Sequence, residues 1–186
     1  MAEQLMGCRV KGGIARAHVE VLRQKNGEQG VEDALARLSS ENAAAIRTAL
    51  PASWISFEAL IQLDRAIVAA ARGTLTMRDL GRFSASQNLS TTYRAFRRTD
   101  IHDFFRRSAA LHDQFQDFGR EEYEAIDNRS GRIVHRDYRC FAADYCESAA
   151  GYYEEAVRMH GSPGAEVEHP QCLARGADAC VFVLRW

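Results

Sequence analysis

The chain closes on ACVFVLRW, residues 179–186, and no other stretch constrains the fold as much. In an extended chain Cys180, Phe182, Leu184 and Trp186 fall on one face, and Ala179, Val181, Val183 and Arg185 on the other. A strand with a large apolar side chain at every second position has to be paired and covered. Its partners are legible upstream. AEVEH at 165–169 reads as the neighbouring strand, and EEYEAID and RIVHRDY flank the turn-rich NRSG as a hairpin does. Between the two strand pairs a helix runs from Phe141 to His160 and stops at GSPG. The order strand–strand–helix–strand–strand predicts a four-stranded, mostly antiparallel sheet with helices packed on one face.

The residues before this core read as helices. Ile14, His18, Val21 and Leu22 keep helical spacing, as do Val31, Ala34, Leu35 and Leu38, and Pro51 interrupts. Ser56 is placed to cap a helix whose stripe is Phe57, Leu60, Ile61, Asp64, Ile67, Val68 and Ala71. Asp64 is the one polar member of that stripe. It reads either as a helix-edge carboxylate paired with a local arginine or as a buried functional acid. Thr76 and Asp79 have the spacing of a capping box, and Asp100 caps a helix with Ile101, Phe104, Phe105, Ser108, Leu111, His112 and Phe115 on one face, ended by Gly119. The fold class is therefore α+β, with the helical amino-terminal two thirds packed on a carboxyl-terminal ββαββ sheet. A chain of 186 residues with 46% apolar content suits one domain, 1–186, with 1–118 mainly helical and 119–186 as the core.

The core carries the chemistry. Counting about 100° per residue, Cys146 shares a helix face with Ala142, Ala143, Ala149, Ala150, Tyr153 and Val157. His169 lies on the inward face of its strand with Ala165 and Val167, and Glu168 points the other way. Cys180 faces inward on the last strand, and Cys172 sits in the turn before it. Cys146, His169, Cys172 and Cys180 are thus aimed at one layer, and three thiolates with one imidazole make a closed tetrahedral zinc set of the structural kind. The competing reading treats the cysteines as small buried hydrophobes, since no Cys-x-x-Cys knuckle is present. Cys140, about 120° around the helix from Cys146, faces elsewhere, and Cys8 lies in the amino-terminal tail.

These residues resemble the 4-vinyl reductase domain family. The likeness rests on Cys146 with Gly151 on one helix, then His169, then the closing Cys172, Gly176, Asp178, Cys180, Phe182 and Trp186. Such a domain forms the effector-sensing part of phenol-responsive activators and resembles the fold of vesicle-tethering TRAPP subunits. The wider layout is similar to an uncharacterised paralogous family from myxobacteria. The resemblance implies a structural Zn2+ at the four positions, an apolar cavity between helices and sheet, and a homodimer. Members that sense aromatics carry glutamate where this chain has His169, which leaves Glu168 as an alternative ligand.

On this reading the protein is a non-enzymatic small-molecule sensor or protein-interaction adaptor, binding a small apolar or aromatic ligand and acting through a separate signalling protein. Trp54, Phe57, Phe104, Phe105, Phe115, Tyr145 and Tyr153 are candidate cavity lining. The alternatives are an enzyme (reductase-like or a zinc hydrolase) and a haem-based gas sensor using His18, His102 or His112. Four protein ligands leave no open metal position for catalysis, and no nucleotide-binding glycine pattern is present. A net charge of -1 argues against nucleic acid, although YRAFRR and DFFRR interleave aromatics with arginines. No stretch is long and apolar enough for a membrane, the amino terminus lacks a signal-peptide core, and five cysteines, an odd number, argue against a disulfide framework. These features predict a cytoplasmic protein.

Overall fold

The computed structural model describes residues 2–91, 94 and 100–186. The chain runs β1 (Arg9–Lys11), α1 (Gly12–Leu35), α2 (Ser40–Thr48), β2 (Trp54–Ser56), α3 (Phe57–Ala70), α4 (Met77–Ser90), α5 (Ile101–Ala110), β3 (Arg120–Asp127), β4 (Ser130–Arg136), α6 (Ala143–Met159), β5 (Glu166–Gln171) and β6 (Cys180–Arg185). The α+β class and the ββαββ order are as expected. The sheet order is β3-β4-β6-β5, with every neighbouring pair antiparallel. No described helix is long and apolar enough to cross a membrane. Most of YRAFRR, namely Tyr93 and residues 95–98, lies outside the described residues.

The caps read from the sequence are present. Ser56 accepts from Ala59 N, Thr76 and Asp79 form a reciprocal capping box, and Asp100 accepts from Asp103 N, so each helix start has an orphan N–H satisfied. The last helix spans 143–159 rather than 141–160. α1 is bent at Gly27, whose φ of 69° is open to glycine at no steric cost.

Three features were not expected. β1 and β2 pair as a two-stranded ribbon, Val10 against Ile55, because both are buried while Arg9 and Lys11 stay outside and cover the Trp54 ring. Cys8 and Cys140 form a disulfide, so the tail is pinned to the segment before α6, contrary to the expectation drawn from an odd cysteine count. Asp64 is fully buried, the second of its two readings, and its partner is one the sequence did not indicate, His18 of α1 at 2.6 Å between Oδ1 and Nδ1.

α4 and α6 cross in backbone contact. A Cβ on Gly81 would stand 1.8 Å from the Ser148 carbonyl oxygen, and one on Gly151 2.1 Å from that of Arg78. Arg78 with Glu147 and Arg82 with Glu154 close the crossing on its outer side. α6 is tied to the sheet by a buried polar triad. Tyr153 donates to Glu121 of β3 at 2.8 Å, and His135 of β4 lies 2.7 Å from the Tyr153 hydroxyl and 3.3 Å from Glu121. Burial alone would raise the Glu121 carboxyl, but hydrogen bonds and charge from His135, with Tyr153, hold it below its usual 4.5.

Two outcomes follow. Gly81→Ala gains roughly 1 kcal/mol of helix propensity but meets a backbone atom that cannot yield, so overpacking of about 1–3 kcal/mol wins, and the urea midpoint falls at constant m-value. Glu121, with a depressed folded-state pKa, lends stability that is complete above its unfolded value and drains as pH falls below about 4.5. Glu121→Gln therefore shows a shallower acid limb in stability against pH, measured by urea unfolding from pH 7 to pH 3.

Candidate functional site

A cavity of about 140 Å³ lies where α1, α4, α6 and the end of α5 meet the sheet. Its wall includes His18, Ser84, His112, Gln116, Glu121, Tyr145 and Tyr153. Three acceptor atoms on that wall, Ser84 Oγ, Gln116 Oε1 and Glu121 Oε1, are buried without a hydrogen-bond partner among the described residues. Buried polar atoms are normally satisfied, so this concentration in one small space marks it as a place built to meet something. Burial pushes the Tyr145 hydroxyl well above the usual tyrosine range, so it remains a donor. A larger, more open groove of about 510 Å³ adjoins the cavity and shares Ile14, Asn88 and Phe115 with it.

Of the expected lining, Phe115, Tyr145 and Tyr153 border the cavity. Phe57, Phe104 and Phe105 are instead core, and Trp54 stands at the outer groove, 36% exposed. The three helix histidines separate as well. His102 is away from the cavity, bonded through Nδ1 to the Tyr123 hydroxyl and set against the Trp186 ring. His112 is on the wall with both nitrogens engaged, Nε2 to the Phe118 carbonyl at 2.9 Å and Nδ1 facing the Gln116 amide at 3.3 Å. His18 is on the wall with Nδ1 held by Asp64. Burial raises the Asp64 carboxyl while His18 pulls it down, and its second oxygen has no hydrogen-bond partner among the described residues. His18 and Asp64 each lay on an apolar stripe in the sequence, but nothing there paired them.

The second constellation is the one the residue pattern singled out. Cys146 of α6, His169 of β5, Cys172 of the turn and Cys180 of β6 bring one donor atom each to within 4.8 Å of one another. Cys146 Sγ lies 3.5 Å from Cys180 Sγ and 3.9 Å from Cys172 Sγ. Hydrogen bonding among the sulfurs pulls Cys172 down to about 6 and Cys180 down to about 4, and pushes Cys146 far up as the thiol that shares its proton. His169 stacks on Phe182 with centroids 4.3 Å apart, and its Nε2 is buried with no hydrogen-bond partner among the described residues. Glu168 points outward to Arg185, so the histidine and not the glutamate joins the cluster. Cys140, expected to face away from Cys146, is bound in the disulfide with Cys8.

No protein-family profile matches this chain, and no curated protein does. Solved structures do. An H-NOX protein from S. oneidensis in the Fe(II)NO state aligns with a TM-score of 0.69 over 94% of this chain and 98% of its own, at 15% identity. An oxygen-binding H-NOX domain related to soluble guanylate cyclases, in its oxygen complex, gives 0.70 over 94% of each chain at 14% identity. A structure concerned with haem redox potential and porphyrin distortion gives 0.70 over 95% and 99% at 13%. The expected kinship with 4-vinyl reductase domains and TRAPP subunits is overturned by these matches, which follow the whole topology. The closing Cys–Gly–Asp–Cys–Phe–Trp pattern covers only the terminal hairpin, a short part of the chain that leaves the overall topology open. Structural zinc as the cofactor is overturned with it, since the group named in these structures is haem. At such identities the likeness establishes architecture, and the chain has the H-NOX fold.

Proposed function

We propose that the chain is a haem-based gas-sensing domain, the alternative among the sequence readings, in place of a zinc-braced adaptor. The observation that carries this is the fold match over nearly the full length to proteins described by haem, nitric oxide and oxygen states, joined to a buried cavity walled by histidines. The donor set fits haem. Iron in haem is commonly held by an imidazole, and the wall carries His18 and His112, the latter with both nitrogens engaged. Room is the stricter test. The 140 Å³ space is smaller than a porphyrin requires, but the groove of about 510 Å³ behind Ile14, Asn88 and Phe115 brings the hollow into the 300–1,000 Å³ range of ligand pockets. Seating the ring therefore calls for those side chains to part.

Haem, when bound, supplies an iron that takes a diatomic gas. The chain's own residues do the rest. The protonated Tyr145 hydroxyl donates into the cavity, and Ser84, Gln116 and Glu121 accept from whatever carries a hydrogen there. The output passes to a separate signalling protein, as befits a sensor rather than an enzyme. Titrating the full chain with hemin and reducing it with dithionite is expected to give one equivalent of bound haem with a Soret band that moves on adding nitric oxide. A flat titration with no Soret band overturns the reading.

The cysteine cluster supports a second, separate reading. We propose that Cys146, His169, Cys172 and Cys180 hold a metal ion, on the strength of three sulfurs and an orphaned imidazole nitrogen converging in the core. Elemental analysis of the purified chain is expected to return one such ion per chain, lost in Cys180→Ser. Metal-free protein whose three thiols react freely with a disulfide reagent sinks this assignment.

A further inference from the structure

We propose that the closed cavity is itself a binding site, for a small neutral alcohol whose hydroxyl meets the free nitrogen of His18. The site belongs to the chain without haem, so the inference goes beyond the gas-sensor reading and does not rest on it. A porphyrin calls for Ile14, Asn88 and Phe115 to part, whereas this ligand uses the wall as it stands.

Size and lining set the ligand's body. A dry apolar cavity of about 150 Å³ accepts one benzene ring. The 140 Å³ here therefore suits a body of about six non-hydrogen atoms. Much of the wall is carbon, from Ile14, Phe115, Ala149 and the rings of Tyr145 and Tyr153. A hydrocarbon body gains by leaving water for such a surface, and a charged one loses hydration that the surface does not restore. Glu121, an acid on the same wall, has its other oxygen already met by Tyr153 and His135, so it does not call for a further cation.

His18 sets the polar contact. Asp64 holds its Nδ1 at 2.6 Å, and both side chains are almost wholly buried, so the ring is fixed. Its Nε2 has no hydrogen-bond partner among the described residues, and His18 borders the cavity. The other wall histidine, His112, has both nitrogens engaged. A pair that only tied α1 to α3 would need Nδ1 alone. An unmet nitrogen at a buried position is costly, and a ligand that meets it removes that cost. A hydroxyl suits the position in either tautomer, donating when the proton is on Nδ1 and accepting when it is on Nε2. Tyr145 on the same wall offers its own hydroxyl as a second partner.

The test uses the full chain free of haem, with cyclopentanol as the probe and cyclopentane as its hydrocarbon control. Binding is followed by NMR of nitrogen-15-labelled histidines, and circular dichroism checks the fold of each variant. Cyclopentanol is expected to bind wild type and to shift the His18 Nε2 signal, while cyclopentane leaves that signal in place. His18→Gln keeps an amide toward Asp64 and is expected to weaken cyclopentanol binding roughly 10-fold, with cyclopentane binding unchanged. Ala149→Leu fills the space and is expected to abolish binding of both. Should that variant unfold, the wild-type shift and the His18→Gln comparison still decide. Wild type that takes up no cyclopentanol, a His18 signal that stays put, or equal losses of both probes in His18→Gln overturns the inference. Cyclopentylamine binding more tightly than cyclopentanol overturns the choice of a neutral alcohol. The hemin titration decides the haem reading separately, so either can fail alone.

Discussion

α6 lies against α4 with no side chain between the two backbones at Gly81 and Gly151, and both candidate sites hang from that crossing. α6 carries Tyr145 and Tyr153 to the cavity and Cys146 to the sulfur cluster. Moving the helix outward by even one methyl group would open the cavity on one side and pull Cys146 from Cys172 and Cys180 on the other. Close packing of this kind is rigid because the atoms in contact are carbonyl oxygens and Cα carbons, which have no rotamers to relax into. The Arg78–Glu147 and Arg82–Glu154 pairs at the edge of the crossing are partly exposed and add orientation more than stability.

The two sites are built on different physics. The sulfur cluster is polar chemistry inside an apolar shell, with Cys146 Sγ 3.5 Å and 3.9 Å from the other two sulfurs and an imidazole stacked on Phe182. The cavity lies between the flanks of α1, α4 and α6 and the start of β3, where Glu121, Gln116 and Ser84 have acceptors unpaired among the described residues around a small space. Joining them is the His135–Tyr153–Glu121 triad, in which a strand, its neighbour and the helix above share one hydrogen-bond network. Tyr153 and Cys146 lie on the same helix, so Glu121 on the cavity wall is one hydrogen bond from the element that carries Cys146.

Legibility followed sequence range. The helix caps at Ser56, Thr76 and Asp100 are contacts between residues three apart, so composition and spacing revealed them. Strand alternation placed His169 and Cys180 on the inner face, and helical spacing put Cys146 opposite them, so the cluster was readable without coordinates. The family drawn from that cluster was wrong because four ligand positions describe a corner of a fold and leave the topology open. The Cys8–Cys140 bond and the His18–Asp64 pair span 132 and 46 positions, and nothing local to either partner signals the other.

By itself, the sequence determined the main helices and the four strands of the sheet, which faces they bury and which residues of the core point at one another across a hairpin. Those properties depend on periodicity and on neighbours a few residues away. Only the tertiary structure decided that α1 and α3 meet at a buried imidazole and carboxylate, that the amino-terminal tail is tied to the core by a disulfide, and that a cavity bordered by histidines lies between helices and sheet. Such features arise where surfaces from distant parts of the chain are pressed together, and their geometry depends on how closely two backbones can approach, which here is set at Gly81 and Gly151.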